Sequence, residues 1–476
     1  MKRVLLLLLT LVILSVCAFS LIGSSLSSQS DKVKISERLS YGDVRETYGA
    51  KINYSANYQW HLFWDIEYEL KEEPKTEIDY DFSHLEKKST SQRRYSGFSM
   101  ETDIVYGYNL SKPLEELSGI ERAYRELYEA TPMYETRSET IYLDDYYTYY
   151  PIGIDIDLPF TLWSGHSLSE KYRGDEYEVH KKFKEFFRIP IPTKTDVIEI
   201  QISKDGNSIG IGSSPYLTYY VNSISSYSSD KCFFSINNRR NGTEKEFIEY
   251  ADTSLIPGGY GIYCFEYERV ALFEGERPKI DVYSPNYYTG IKEETLKMVY
   301  PLEKEASVEY MAVSEEENRL FVITEEGGCS YFREIELSSM KTLQKIKLFD
   351  GYHNQVWRKD GFFVIKYYDS LILLAPNDKG LYEVKFTSEY QCAVNESFAY
   401  INSNASMDFD GERLIVVEQF YDQFHRTHQT CDFYIAVYSE KGLLYYGEYK
   451  NSLSTNNDYN KNCTSNGFSV EWKNEE

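Results

Sequence analysis

Residues 202–212 read ISKDGNSIGIG. A polar turn, Asp205-Gly206-Asn207, separates two runs in which apolar and polar residues alternate. Gly and Asn accept positive φ, and a period of two is that of a half-buried strand, so the stretch predicts a hairpin. The pattern returns as VSEEENRLFVI from Val313, WRKDGFFVIKY from Trp357 and MDFDGERLIVV from Met407. IPGGYGIYCFEYE, with Gly258-Gly259, falls between the first and second of these phrases. The intervals are uneven, about 45–60 residues, which is the range of repeated β-sheet units. Further strands follow the turns, as in YFREIELSSM then KTLQKIKLFD, and LILLAPNDKGLYEVKFT. Four strands per repeat predict an array of small antiparallel sheets.

The chain resembles the β-propeller superfamily in these phrases, in particular the S-x-D-G-x-x-I-x-I repeat style of bacterial cell-envelope propellers. The resemblance covers residues 195 to about 452 and consists of turns and strands, without a specific family signature. Trp-Asp blade endings are missing, unlike standard WD repeats. It implies a rigid scaffold that presents loops to a ligand. A pair of irregular β-sandwiches would also give recurring strands and turns.

Composition agrees with a mainly β protein. Aromatics make up 16% of the chain and Tyr alone accounts for 46 of the 476 residues. Aromatic side chains suit a pleated, half-buried surface, and the phenol suits a margin with one dry and one wet side. The net charge of −24 repels phosphate backbones, so nucleic acid is excluded as a principal partner.

Residues 4–22, VLLLLLTLVILSVCAFSLI, carry no charge and follow Lys2 and Arg3. Their length approaches the roughly 20 residues of a membrane-crossing helix. The expectation is a single-pass signal anchor at the cell membrane, N-terminus cytoplasmic, with the chain from about Gly23 outside. Cleavage within GSSLSS would release a secreted protein instead, and LSVC would place a lipid on Cys17, although Val16 stands where a lipobox has a small residue. An outside location permits disulfides among Cys232, Cys264, Cys329, Cys392, Cys431 and Cys463, yet no CxxC occurs and Cys264 reads as a buried apolar residue.

Residues 1–30 are then anchor and Ser-rich spacer, 31–194 a β-rich module with two helices, and 195–476 the propeller-like repeats. The module could itself supply further blades. The first helix starts at Ser118 and Glu121, spaced as a capping box, with Leu117, Ile120, Tyr124, Leu127 and Tyr128 on one face and Pro132 beyond its end. The second has Asp175 as N-cap, Glu178 three residues on, and Val179, Phe183, Phe186 and Phe187 as its stripe. Between them Ile152, Ile154, Ile156 and Leu158 alternate along a strand.

Few residues point to chemistry. FHRTHQTCDF places His425, His428 and Cys431 at intervals of three after Asp422, and His and Cys ligate zinc. That spacing aligns side chains on a helix, whereas the stretch reads as a loop. Asp155 with Asp157, and Asp408 with Asp410, are carboxylate pairs of the kind a glycosidase uses. No nucleophile motif and no nucleotide-binding loop occurs, so no catalytic residue and no cofactor is assigned. The reading is a non-enzymatic, membrane-anchored binding or scaffold module for a protein or glycan ligand at the cell envelope. The alternative is a cell-envelope glycan hydrolase using paired carboxylates.

Overall fold

The computed structural model describes residues 10–18, 20–21, 34–58, 62–80, 97–102, 113, 117, 119–157, 181–206, 208–217, 219–240, 260–271, 287–303, 306–351, 355–359, 361–368, 370–389, 393–394, 397–398, 405–419, 433–451 and 463–473. The chain is mainly β and divides into two compact units, residues 1–92 with 353–476, and residues 93–352.

The first unit is built on three sheets. Strands β18 (Gln355–Lys359), β19 (Phe362–Tyr367), β20 (Ser370–Pro376) and β21 (Tyr382–Glu389) form a sequential antiparallel meander. β24 (Ser406–Phe409), β25 (Leu414–Gln419), β26 (Phe433–Ser439) and β27 (Gly442–Asn451) form a second. The N-terminal strand β1 (Ile35–Gly42) adds to its outer edge, Ile35 opposite Asn451. The third sheet takes its first strand from the other end of the chain, in the order β28 (Cys463–Trp472), β2 (Ala50–Tyr58), β3 (Leu62–Glu69), β4 (Lys75–Tyr80). β22 (Ala393–Val394) and β23 (Ser397–Phe398) make a short hairpin.

The β24–β27 sheet is the middle layer of this unit. Leu414, Val416, Tyr434, Ala436 and Tyr438 pack with Val364, Leu371 and Leu373 of the β18–β21 sheet. Ile415, Val417, Phe433, Ile435 and Val437 alternate with them and pack with Ile52, Ile66, Tyr68 and Val470 of the closing sheet. Burial on both faces explains why β26, FYIAVYS, is apolar or aromatic up to its last residue, Ser439: all its residues are buried.

The second unit repeats this layering. β14 (Ser307–Ser314), β15 (Arg319–Glu326), β16 (Cys329–Glu336) and β17 (Lys341–Asp350) form a meander. Val308, Met311, Leu320 and Val322 pack on Phe233, Ile262 and Cys264 of a six-stranded sheet. That sheet runs β13 (Tyr287–Pro301), β12 (Gly261–Ala271), β11 (Lys231–Arg240), β10 (Tyr219–Tyr227), β5 (Gly97–Thr102), β7 (Ile152–Asp157). Its other face holds Phe98, Phe234 and Phe265 in one cluster with helix α1 (Gly119–Ala130), Phe183, Phe187 and a three-stranded sheet, β6 (Thr136–Tyr142), β8 (Val197–Lys204), β9 (Ile209–Tyr216). Within the β14–β17 sheet Glu326 is buried beside Arg333 and Lys345, and Arg333 Nε donates to Thr324 Oγ1 at 3.2 Å. Burial alone would raise the Glu326 carboxyl. Hydrogen bonds from Arg333, Lys345 and Thr324 outweigh it and hold the group below its ordinary range.

The repeated turns take the geometry their residues predict. Gly206, Asn318, Gly361 and Gly411 have φ of 82, 53, 84 and 106°, each between the paired strands of a hairpin. Gly258-Gly259 lies outside the described residues. The first expected helix is α1, with Leu117, Ile120, Tyr124 and Leu127 buried. Lys204 of β8 caps its C-terminal end, Nζ donating to the Thr131 carbonyl at 2.6 Å, where a cation meets the negative end of the helix. The second is helical over residues 181–186, with Phe183 and Phe187 buried; its expected cap lies outside the described residues.

The N-terminal anchor is not supported. Among the described residues no helix is long and apolar enough to cross a membrane. Helical conformation runs over residues 10–18 and 20–21. The single-pass topology, with residues from about 23 onward outside, falls with the anchor.

Candidate binding face

The expected metal ligands His425, His428 and Cys431, with Asp422, lie outside the described residues, as do the side chains of Asp155 and Asp157. The second carboxylate pair is described, and its oxygens are engaged by main chain. Asp408 Oδ2 accepts the Trp472 N–H at 2.6 Å, tying β24 to the C-terminal strand. Asp410 Oδ1 accepts the N–H groups of Glu412 and Arg413 at 2.9 and 2.7 Å, which forms the turn before β25. Asp410 Oδ2 also accepts from Arg413 Nε at 2.9 Å, so Asp410 shapes its own turn while Asp408 braces β24 against a distant strand.

A different acidic pair lies inside the middle sheet of the first unit. Glu418, Tyr434 and Glu448 stand in one cross-strand row, all buried. Tyr434 Oη donates to Glu418 at 2.9 Å, and Tyr446 Oη donates to Glu448 at 3.3 Å. The sequence signal was available: a Glu ending the doubly buried run LIVVE must itself be buried.

Cys232 and Cys264 are buried, free thiols on adjacent strands. Cys232 belongs to the cluster on one face of the six-stranded sheet and Cys264 to that on the other, so their sulfurs point apart. Burial raises both thiols, Cys264 to about 12, and leaves them unreactive. Cys329 is free as well.

The surface with the features of a binding site is the outer face of the β6–β8–β9 sheet. Ile198, Ile200 and Ile202 turn inward to the core, so alternate residues of β8 turn outward. Strand register then assembles three cross-strand rows and a fourth at the margin: Thr136–Ser203–Gly210, Ser138–Gln201–Gly212, Thr140–Glu199–Ser214 and Tyr142–Val197–Tyr216. Thr136 and Ser203 hydroxyls hydrogen-bond each other at 2.8 Å. The face runs about 20 Å along β6 at the ordinary strand rise.

Its two ends are aromatic. At one, Tyr142 is 41% and Tyr216 56% exposed. Lys194 Nζ lies 4.8 Å from the centre of the Tyr142 ring and is ion-paired to Asp145. The hydrogen bond to Asp145, then the charges of Asp144 and Asp145, raise the Lys194 ammonium above its ordinary range. At the other end Tyr134, 80% exposed, covers the β8–β9 turn: a Cβ on Gly206 would lie 2.8 Å from its ring. The opening hairpin of the sequence thus forms two thirds of this sheet. Sequence reading placed the hairpin but not β6, whose pairing joins residues about 60 positions apart.

No protein-family model matches the chain, and no curated protein does. Solved structures to which it is weakly similar include Hsv2 from Kluyveromyces marxianus (6% identity, TM-score 0.18, 45% of this chain and 46% of that one). The β-propeller domain of the Trilobed protease from Pyrococcus furiosus is another (11%, TM-score 0.20, 55% and 65%). The WD40 domain of SCAP from fission yeast is a third (7%, TM-score 0.20, 56% and 62%). The match spans less than two thirds of each of these chains. Scores this low carry no argument; what the fold itself shows is a set of layered, four-stranded antiparallel meanders.

Proposed function

We propose that the chain is a non-enzymatic binding scaffold whose docking surface is the outer face of the β6–β8–β9 sheet. The observation that carries this reading is the exposure of Tyr134, Tyr142 and Tyr216 around a floor of small polar side chains. Tyr offers a large contact area at a small cost in side-chain entropy. The underside of the same sheet is fixed by three inward isoleucines and α1, so the floor is rigid before a ligand arrives.

The test is a panel of immobilised probes of distinct chemistry: neutral polysaccharides, an acidic polysaccharide and an extended uncharged peptide. Full-length protein is compared with Tyr142→Ala/Tyr216→Ala. The expected result is that the variant loses at least about tenfold in affinity for whichever probe binds, equivalent to 1.4 kcal/mol, with an unchanged melting temperature. Equal binding by both proteins, or no binding to any probe, overturns the reading.

The hydrolase alternative has one supporting observation, the row Glu418–Tyr434–Glu448. Those carboxylates flank a tyrosine that belongs to a packed apolar cluster, which ranks this reading second.

A further inference from the structure

We propose that the ligand of this face is a neutral glycan chain, an inference that rests on the binding-scaffold reading. Three independent observations converge on it.

Charge is the first. The protein carries 75 acidic and 51 basic residues. Within the four rows Glu199 is the only charged side chain, the others being Thr, Ser, Gln, Gly, Val and Tyr; at the Tyr142 end Lys194 is neutralised by its ion pair with Asp145. An acidic protein that leaves one sheet face almost uncharged does not recruit an ionic partner there. A cationic ligand would lack counter-charges, and an anionic one would meet the acidic surroundings.

Glycine is the second. Gly210 and Gly212 lie in β9 on the outer face, and neither has positive φ. A Cβ on Gly212 would meet nothing within 4 Å, and one on Gly210 would make ordinary contact with Ser203 at 3.6 Å. The fold therefore does not require glycine at either position, and glycine weakens a strand. What these residues provide is a bare strip of backbone beside Ser203, Gln201 and Ser138, where a ligand can approach the sheet closely.

Chemistry is the third. The floor presents the hydroxyls of Thr136, Ser138, Thr140, Ser203 and Ser214 and the amide of Gln201. Each hydroxyl both donates and accepts, and Gln supplies one of each, which matches the mixed donors and acceptors of sugar hydroxyl groups. The electron-rich faces of the tyrosine rings at either end suit the apolar C–H faces of a pyranose. The length, about 20 Å, accommodates a chain of several rings and exceeds what a single ring would fill.

The experiment uses full-length protein and titrates soluble neutral polysaccharides (a β-glucan, an α-glucan and a mannan) by calorimetry. Polygalacturonate and an uncharged Gly/Ser/Thr peptide serve as controls. At least one neutral polysaccharide is expected to bind. Gly212→Val should abolish that binding, by about tenfold or more, while leaving the melting temperature equal or higher, since a β-branched residue replaces glycine in a strand. Should Gly212→Val not fold, Gln201→Ala, an exposed position, decides the same question. Loss of binding together with retained stability is a signature a purely structural glycine would not give. Binding of a neutral polysaccharide undiminished in these variants overturns the proposal. Binding of the peptide alone, lost in Tyr142→Ala/Tyr216→Ala, overturns the glycan and leaves the scaffold reading standing. Absence of any face-dependent binding overturns both.

Discussion

Strands β26 and β6 have the same length and opposite surroundings. Each residue of β26 is buried, because a sheet covers either side of it; of β6 only Ile141 is buried. The former reads FYIAVYS and the latter TRSETIY. Side-chain chemistry follows the number of covered faces, so composition along a strand reports how many layers enclose it. Stability resides in strands of the first kind, and a surface free to evolve contacts resides in strands of the second.

Substitution can break or sharpen this contrast. The largest effect is expected at Ile435, fully buried in β26, where Ile435→Ala should cost about 2–5 kcal/mol in denaturant unfolding. Thr140→Ala in β6 should stay within about 0.5 kcal/mol, and equal costs at the two sites would refute the layering described for both units. Next comes the buried polar row: Tyr434→Phe removes the hydroxyl that donates to Glu418 and should destabilise by about 1–3 kcal/mol. A cost near zero would mean that Glu418 is not held by that hydroxyl.

Glycines offer a finer version. Gly411 has φ of 106° in the β24–β25 turn, whereas Gly212 lies in an open strand without positive φ. Gly411→Ala should lower stability by about 1–2 kcal/mol, while Gly212→Ala should leave it unchanged or raise it. The smallest effect is electrostatic. Because the folded-state pKa of Glu326 is depressed, its ionised form stabilises the fold above the unfolded value near 4.5, and this contribution is lost as pH falls below that. Unfolding midpoints of the native protein and Glu326→Gln should therefore differ at pH 7 and draw together as pH falls from 4.5 through the depressed folded-state value. A gap that is unchanged or grows as pH falls below 4.5 would contradict the assignment.

How far the sequence was legible depends on the range of each interaction. Turns were legible because φ is a local property: Gly206 and Gly411 announce themselves by residue type. Helix α1 was legible from Ile120, Tyr124 and Leu127 at helical spacing. The inward face of β8 was legible from Ile198, Ile200 and Ile202. Which strand lies beside which was not, since β1 with β27 and β2 with β28 are pairings of distant segments that leave no local mark. The acidic pairs nearest in sequence were misleading for the same reason: Asp408 and Asp410 serve backbone, while Glu418 and Glu448, separated by thirty positions, share a row. The outer face was out of reach because it needs the register of β6 against β8. The anchor expected from the uncharged run 4–22 has no counterpart among the described residues, where no helix is long and apolar enough to cross a membrane.

The interlocking of the two chain ends has a consequence in time. Residues 93–352 form a contiguous unit, so their sheets can assemble as soon as that segment has been synthesised. Ile35 and Asn451, partners in the first unit, are separated by about 416 residues, or about 20–80 s at 5–20 residues per second. Throughout that interval β1 lacks its partner β27, and although β2, β3 and β4 can pair with one another, the edge of β2 that β28 will cover stays open to other strands. β28, made more than 400 residues after β2, is the strand that completes that sheet.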